Sequence, residues 1–177
     1  MGSEMCIRDS PTLMRGEITP IQRILFVCMG NICRSPAAEG VMQAMAAEAG
    51  LEKQLFCDSA GTIDFHRGQA ADPRMREAAA RRGYTLGSRA RQMTAEDLVQ
   101  FDLILTMDED NREYVLAMDG ESQWGHKIKP FCDFVEAYDA AEVPDPYYGG
   151  GEGFDRVLDM LEDGCRQLLD HCAVQGE

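Results

Sequence analysis

Cys28 and Arg34 are separated by five residues in the stretch RILFVCMGNICRSPAAEG (23–40), where an apolar run ends on the cysteine and an alanine-rich run begins after the arginine. A loop of that length between a strand and a helix curls so that its backbone N–H groups, from Met29, Gly30, Asn31, Ile32, Cys33, Arg34 and Ser35, converge on an oxyanion as an anion-binding nest. The guanidinium of Arg34 suits a bidentate grip on two oxygens of that anion. Cys28 then lies beneath its central atom. The helix dipole, the inward amides and the Ser35 hydroxyl all favour thiolate over thiol, which makes Cys28 a nucleophile. Gly30 is expected to permit a close backbone approach or a positive φ.

A second chemical signal lies far downstream in VPDPYYGG (143–150), where Pro144 and Pro146 flank Asp145 and stiffen the backbone that carries it. A fixed carboxyl beside an anion site suits a general acid that protonates a leaving group and then deprotonates water. The bland readings are a buried small hydrophobe for Cys28 and a turn residue for Asp145. Cys28 and Cys33 as metal ligands lack a second pair or a histidine cluster at fitting spacing, so no metal is expected.

These residues need elements to hold them. ILFV (24–27) reads as a strand buried on both faces, and Ala38, Val41, Met42, Met45 and Ala49 trace one face of the helix that follows. Ser35 is expected to cap that helix, with Pro36 at its first position and Gly50 beyond its end. Further strands are expected at 55–61, 101–108 and, more weakly, 126–131. Further helices are expected from Pro73 to about Arg82 and over 109–120, the second capped by Asp108. A long helix carries Phe154, Val157, Leu158, Leu161, Cys165, Leu168, Leu169 and Cys172 on one face. Alternating strands and helices imply an α/β fold: a doubly wound four-stranded parallel sheet flanked by helices on both faces, with the phosphate-binding loop between strand 1 and helix 1.

The chain has 177 residues, enough for one domain that needs no disulfide or metal to hold it. Residues 21–177 read as that domain, and residues 1–20 as a disordered leader or an expression remnant without a signal-peptide core. A formal charge of −14 argues against nucleic acid or an anionic membrane as partner. Seven scattered cysteines without CxxC spacing point to a reducing, cytoplasmic setting. Neither GxGxxG nor GxxxxGK[ST] follows the first strand, so a nucleotide-binding reading fails.

With VCMGNICRSP, DSAGT (58–62), ARQ (90–92), FDLILTMDEDN (101–111) and VPDPYYGGGEGF (143–154) in this order, the chain resembles the low-molecular-weight protein-tyrosine phosphatases from Ile21 to Cys172. The resemblance implies hydrolysis of phosphotyrosine monoesters through a phosphocysteine on Cys28, with Arg34 on the phosphate, Asp145 as general acid and base, and no cofactor. It implies that Asn31 and Ser59 brace the loop, that Ser35 steadies the thiolate, and that Tyr147 and Tyr148 stand beside the pocket. It also makes Cys33 a reversible disulfide partner of Cys28 under oxidation. The implied partner is a phosphotyrosine-containing protein, such as a tyrosine kinase, with no nucleic acid, no membrane and an open oligomeric state.

The departures carry information too. Phe65 stands where many members have Trp, which keeps an aromatic rim, and Ser88 stands where some animal members have a bracing His. Ile32 replaces the Thr of the phosphoarginine phosphatases in the same family and so favours phosphotyrosine. An arsenate reductase of this fold would need two further cysteines, and residues 58–131 contain none. A non-catalytic phosphoprotein-binding module would be expected to lack the nucleophile or the acid, and both residues are present.

Overall fold

The computed structural model describes residues 22–175, so the reading of residues 1–20 lies outside the described part. Four strands, β1 (Gln22–Cys28), β2 (Leu55–Gly61), β3 (Leu103–Thr106) and β4 (Ile128–Pro130), form one parallel sheet in the order β2-β1-β3-β4. Helices α1 (Arg34–Glu48), α2 (Pro73–Ala80), α3 (Ala95–Gln100), α4 (Glu109–Met118) and α5 (Gly151–Gln175) cover it on both sides. Ile24 to Cys28 are all buried because β1 is central and alternate side chains face opposite layers. Ile24, Phe26 and Cys28 meet α1, α2 and α5 on one face. Leu25 and Val27 meet Leu98 of α3 and Val115 of α4 on the other. The expected doubly wound α/β architecture is therefore the observed one, with the third and fourth strands shorter than the apolar runs suggested.

Two local expectations change. The first helix begins at Arg34 with Cys33 at its cap and no side-chain cap bond. Ser35 sits inside the first turn instead, and its hydroxyl is turned toward Cys28 rather than toward its own backbone. The six-residue α3 has no counterpart in the expected element list, because it is too short for a periodic signal. Its capping box holds it: the Asp97 carboxylate accepts the Thr94 backbone N–H at 2.8 Å.

The first half of α1 is buried nearly all round, including Glu39. That carboxylate accepts the Ser59 hydroxyl at 2.6 Å and the Gln43 amide at 3.2 Å. Burial pushes its pKa up, opposed by the Ser59 hydrogen bond. Ser59 is thus spent on α1 from the middle of β2, and the structure gives it no bond to the loop it was expected to brace.

Phe131 is fully buried, edge-on to Phe26 of β1 with ring centroids 6.2 Å apart, and it packs against α5 at Gly164. A Cβ at Gly164 would lie 2.4 Å from this ring. The absence of a side chain there is what lets the segment after β4 lie flat between sheet and helix on its way to Asp145. At an exposed helical site, glycine to alanine stabilises by about 1 kcal/mol. Here Gly164→Ala is expected to destabilise by about 1–3 kcal/mol through overpacking. The sign of the shift in the urea midpoint checks this.

Candidate active site

β1 delivers Cys28 at its carboxyl end, the position where ligands bind in open α/β sheets. The loop from Met29 to Cys33 is held from outside by its carbonyls. Thr62 N–H donates to the Cys28 and Met29 carbonyls at 3.0 Å, Ile63 N–H to Met29 at 3.1 Å, and Asp72 N–H to Ile32 at 2.8 Å. Three carbonyls are thus tied outside the loop, and inside it the Asn31 N–H lies 3.3 Å from Cys28 Sγ. The positive φ of this turn falls on Asn31, at 58°, and not on Gly30. Gly30 serves close approach instead, since a Cβ there would meet the His66 ring at 3.0 Å.

Asn31 is held in that conformation from two sides. Its amide donates to Ser35 Oγ at 2.8 Å, and its carbonyl oxygen accepts the Arg91 backbone N–H at 3.0 Å. Ser35 Oγ accepts from Asn31 and lies 2.9 Å from Cys28 Sγ, with the Ala60 carbonyl at 3.5 Å as its other acceptor. Cys33 is buried beside Cys28 in reduced form, and burial first, then the nearby Asp72, raises its pKa far above the ordinary thiol value.

Arg34 is almost wholly buried, with 3% of its side chain exposed. One terminal nitrogen bonds Asp108 Oδ2 at 2.7 Å and the Val143 carbonyl at 3.0 Å. The other stands 3.5 Å from Asp145 Oδ2. Burial alone would lower the arginine pKa; the Cys28 sulfur, Asp108 and Asp145 together raise it, so the guanidinium stays charged. Asp108 accordingly does two jobs: Oδ1 caps α4 at Asn111 N–H, as expected, and Oδ2 aims Arg34. Asp145 Oδ1 accepts the Tyr147 N–H at 3.0 Å, which fixes the carboxyl rotamer.

The cavity above these groups measures about 310 Å³. Cys28, Met29, Gly30, Ile32, Cys33 and Arg34 make its floor, with Phe65, Tyr147, Tyr148 and Asp145 on the walls. The expected cavity residues thus converge from three segments, 28–34, Phe65 and 145–148, while Asn31 and Ser35 lie behind the floor and Ser59 bonds Glu39 instead. Ile63 and His66 also line the cavity, and His66 packs edge-on against Phe65 at 4.9 Å. Nothing in the sequence pattern marked His66 or Ile63 as cavity residues. Among the described residues, no group of three or more His, Cys, Asp or Glu side chains is placed to hold a metal. The arrangement places a sulfur, a guanidinium and a carboxyl around one cavity, a set that can hold an anion and exchange a proton beside it.

Gly61 was missed as well. It pairs with Cys28 across β1 and β2, and a Cβ on it would lie 2.6 Å from the Met29 carbonyl and 3.2 Å from Asn31 N. The loop lies directly over this glycine. Gly61→Ala is expected to lift the loop and cut phosphate-ester turnover roughly a hundredfold, because small displacements of a preorganised site are costly. Turnover measured beside orthovanadate binding checks it, with both expected to weaken.

The low-molecular-weight phosphotyrosine protein phosphatase family model matches residues 23–177. A Bacillus subtilis low-molecular-weight protein-tyrosine-phosphatase is 43% identical over 82% of this chain and 92% of its own length. The crystal structure of an Entamoeba histolytica protein tyrosine phosphatase, with Hepes in its active site, superposes with a TM-score of 0.84 at 45% identity, covering 87% of this chain and 98% of the other. The YwlE arginine phosphatase, a more distant neighbour, superposes with a TM-score of 0.76 at 27% identity over 85% of this chain and 95% of its own.

Proposed function

Because the chain belongs to the low-molecular-weight phosphotyrosine protein phosphatase family, we propose that it hydrolyses phosphotyrosine monoesters on proteins through a phosphocysteine on Cys28. The observation that carries this reading is the convergence of Cys28 Sγ, the Arg34 guanidinium and the Asp145 carboxyl on one cavity, with Asp145 Oδ2 3.5 Å from Arg34.

The first step forms an S–P bond as the thiolate of Cys28 attacks phosphorus and the P–O ester bond breaks. The leaving phenolate takes the proton of Asp145. Arg34 and the inward amides hold the equatorial oxygens, where charge is carried through the transition state. In the second step the Asp145 carboxylate takes a proton from water, the water oxygen attacks phosphorus, and the P–S bond breaks to release phosphate and the thiolate. No metal enters either step. The aromatic walls, Phe65 and Tyr147, suit a phenyl ring stacked above the floor. Ile32 supplies an apolar contact at the floor, which favours phosphotyrosine over phosphoarginine. A tyrosine kinase as substrate and a cytoplasmic setting with reduced thiols are part of the same reading.

Cys33 extends the proposal to redox control. Peroxide converts the Cys28 thiolate to a sulfenic acid, and attack by Cys33 sulfur gives a disulfide and water, which guards Cys28 against further oxidation. Thiol mapping after peroxide treatment is expected to recover a peptide joined through Cys28 and Cys33; two separate modified cysteines would reject it.

Hydrolysis of p-nitrophenyl phosphate in EDTA tests the main reading. Activity is expected to persist in chelator, to vanish in Cys28→Ser and to fall by about a hundredfold or more in Asp145→Ala. Phosphotyrosine is expected to be turned over in preference to phosphoarginine. Activity retained by Cys28→Ser would remove the phosphocysteine, and a preference for phosphoarginine would overturn the substrate assignment.

A further inference from the structure

Arg74, in the first turn of α2, is not among the residues lining the cavity, yet it joins the two segments that the reaction needs in register. On one side its guanidinium forks onto Asp72, with Nε to Oδ1 at 3.1 Å and a terminal nitrogen to Oδ2 at 2.9 Å. Asp72 is buried, and the hydrogen bond from Arg74, acting against burial, holds its carboxyl below the usual carboxylate range. The backbone N–H of the same aspartate donates to the Ile32 carbonyl at 2.8 Å, in the phosphate-binding loop. Arg74 is therefore tied to that loop through one rigid residue.

On its other side the guanidinium carbon lies 4.8 Å from the Phe154 ring centroid and 5.4 Å from that of Tyr147. Phe154 is a buried anchor at the start of α5. Tyr147 is two residues past Asp145, and its N–H is the donor that fixes the Asp145 carboxyl. Ahead of this stretch the segment is tied to the loop by Arg34, which donates to the Val143 carbonyl at 3.0 Å and stands 3.5 Å from Asp145. Beyond Asp145 the bonds are local: Gly149 N–H donates to Pro146 O, and Gly153 N–H to Gly150 O, both at 3.0 Å. Such turns shape this stretch without saying where Tyr147 stands relative to the loop. A planar cation that forks onto a carboxylate and faces aromatic rings supplies that reference.

The geometry points to Arg74 as a positioning residue that sets Asp145 against the phosphate-binding loop, acting through Tyr147. This rests on the assignment of Asp145 as the general acid. Arg74 touches neither the ester nor the sulfur, so its loss must show in proton delivery to the leaving group and not in nucleophilic attack.

The test compares kcat/KM for phenyl phosphate, whose leaving group needs a proton, with p-nitrophenyl phosphate, whose leaving group needs one less. It uses the wild type, Arg74→Met, Arg74→Lys, Asp145→Ala and the double variant Arg74→Met/Asp145→Ala. Arg74→Met is expected to lose about tenfold on phenyl phosphate, the scale of a misplaced catalytic group, and clearly less on the nitrophenyl ester. Arg74→Lys, which keeps the charge but not the fork, is expected to fall between. Alkylation of Cys28 by iodoacetate is expected to keep its rate, and the loss is expected to disappear in the Asp145→Ala background, the signature of one residue acting through another. Equal losses on both esters, the same loss without Asp145, or no loss in either Arg74 variant would overturn the inference. If Asp145→Ala itself fails to discriminate between the esters, the acid assignment falls and takes this one with it; if it discriminates and Arg74→Met does not, Arg74 alone is refuted.

Discussion

A buried guanidinium is the constraint around which this molecule is arranged. Arg34 has almost no access to water, and removing one partner from a pair of that kind costs about 3–5 kcal/mol, because the other charge is left uncompensated. Its partners come from three places in the chain. Asp108 stands just past the end of β3, Val143 offers a main-chain carbonyl after the crossing behind Phe131, and Asp145 follows two residues later. Val143 is itself pinned by its N–H to the Met107 carbonyl at 2.8 Å. Meeting one charge thus gathers the ends of β1 and β3 and the approach to α5 around a single point, and the cavity is the space left above it.

The same economy runs through the neutral part of the floor. A non-glycine residue at positive φ is uncommon, although Asn tolerates it better than most. Here the conformation of Asn31 is over-determined by Ser35 on one side and the Arg91 backbone on the other. Arg91 is in turn locked by Asp58 and Asp97, at 3.1 and 3.0 Å. Asp97 is also the residue that closes the capping box of α3. A six-residue helix on the far face of the sheet is in this way connected to the turn beneath the substrate cavity.

What the sequence showed plainly was whatever repeats or punctuates. The apolar run of β1, the five-turn stripe of α5 and the Cys28-to-Arg34 spacing could be read because each depends on local order alone. Three kinds of feature stayed hidden. α3, at six residues, covers fewer than two helical turns, too few for a periodic signal, though Thr94 and Asp97 at capping-box spacing were there to be read. Gly61 and Gly164 matter for what approaches them in space, and nothing along the chain announces a Met29 carbonyl or a Phe131 ring. Ser35 and Asp108 each had a local cap to make: Ser35 keeps only its other expected contact, with Cys28, and Asp108 makes the cap and adds Arg34, while Ser59, expected on the phosphate-binding loop, bonds Glu39 of α1. A short polar side chain goes to whichever acceptor or donor the fold brings within 3 Å, and sequence proximity is a poor guide to that choice.

The contact between Arg34 and Asp145 has a thermodynamic consequence. In the cavity a single cation, Arg34, faces the carboxylates of Asp108 and Asp145. An arriving phosphate dianion competes with the Asp145 carboxylate for the same guanidinium nitrogen. Seating that anion releases the Asp145 carboxyl from the guanidinium and leaves it held by the Tyr147 N–H. The cavity thereby exchanges one ion pair of Arg34 for another when an anion is seated.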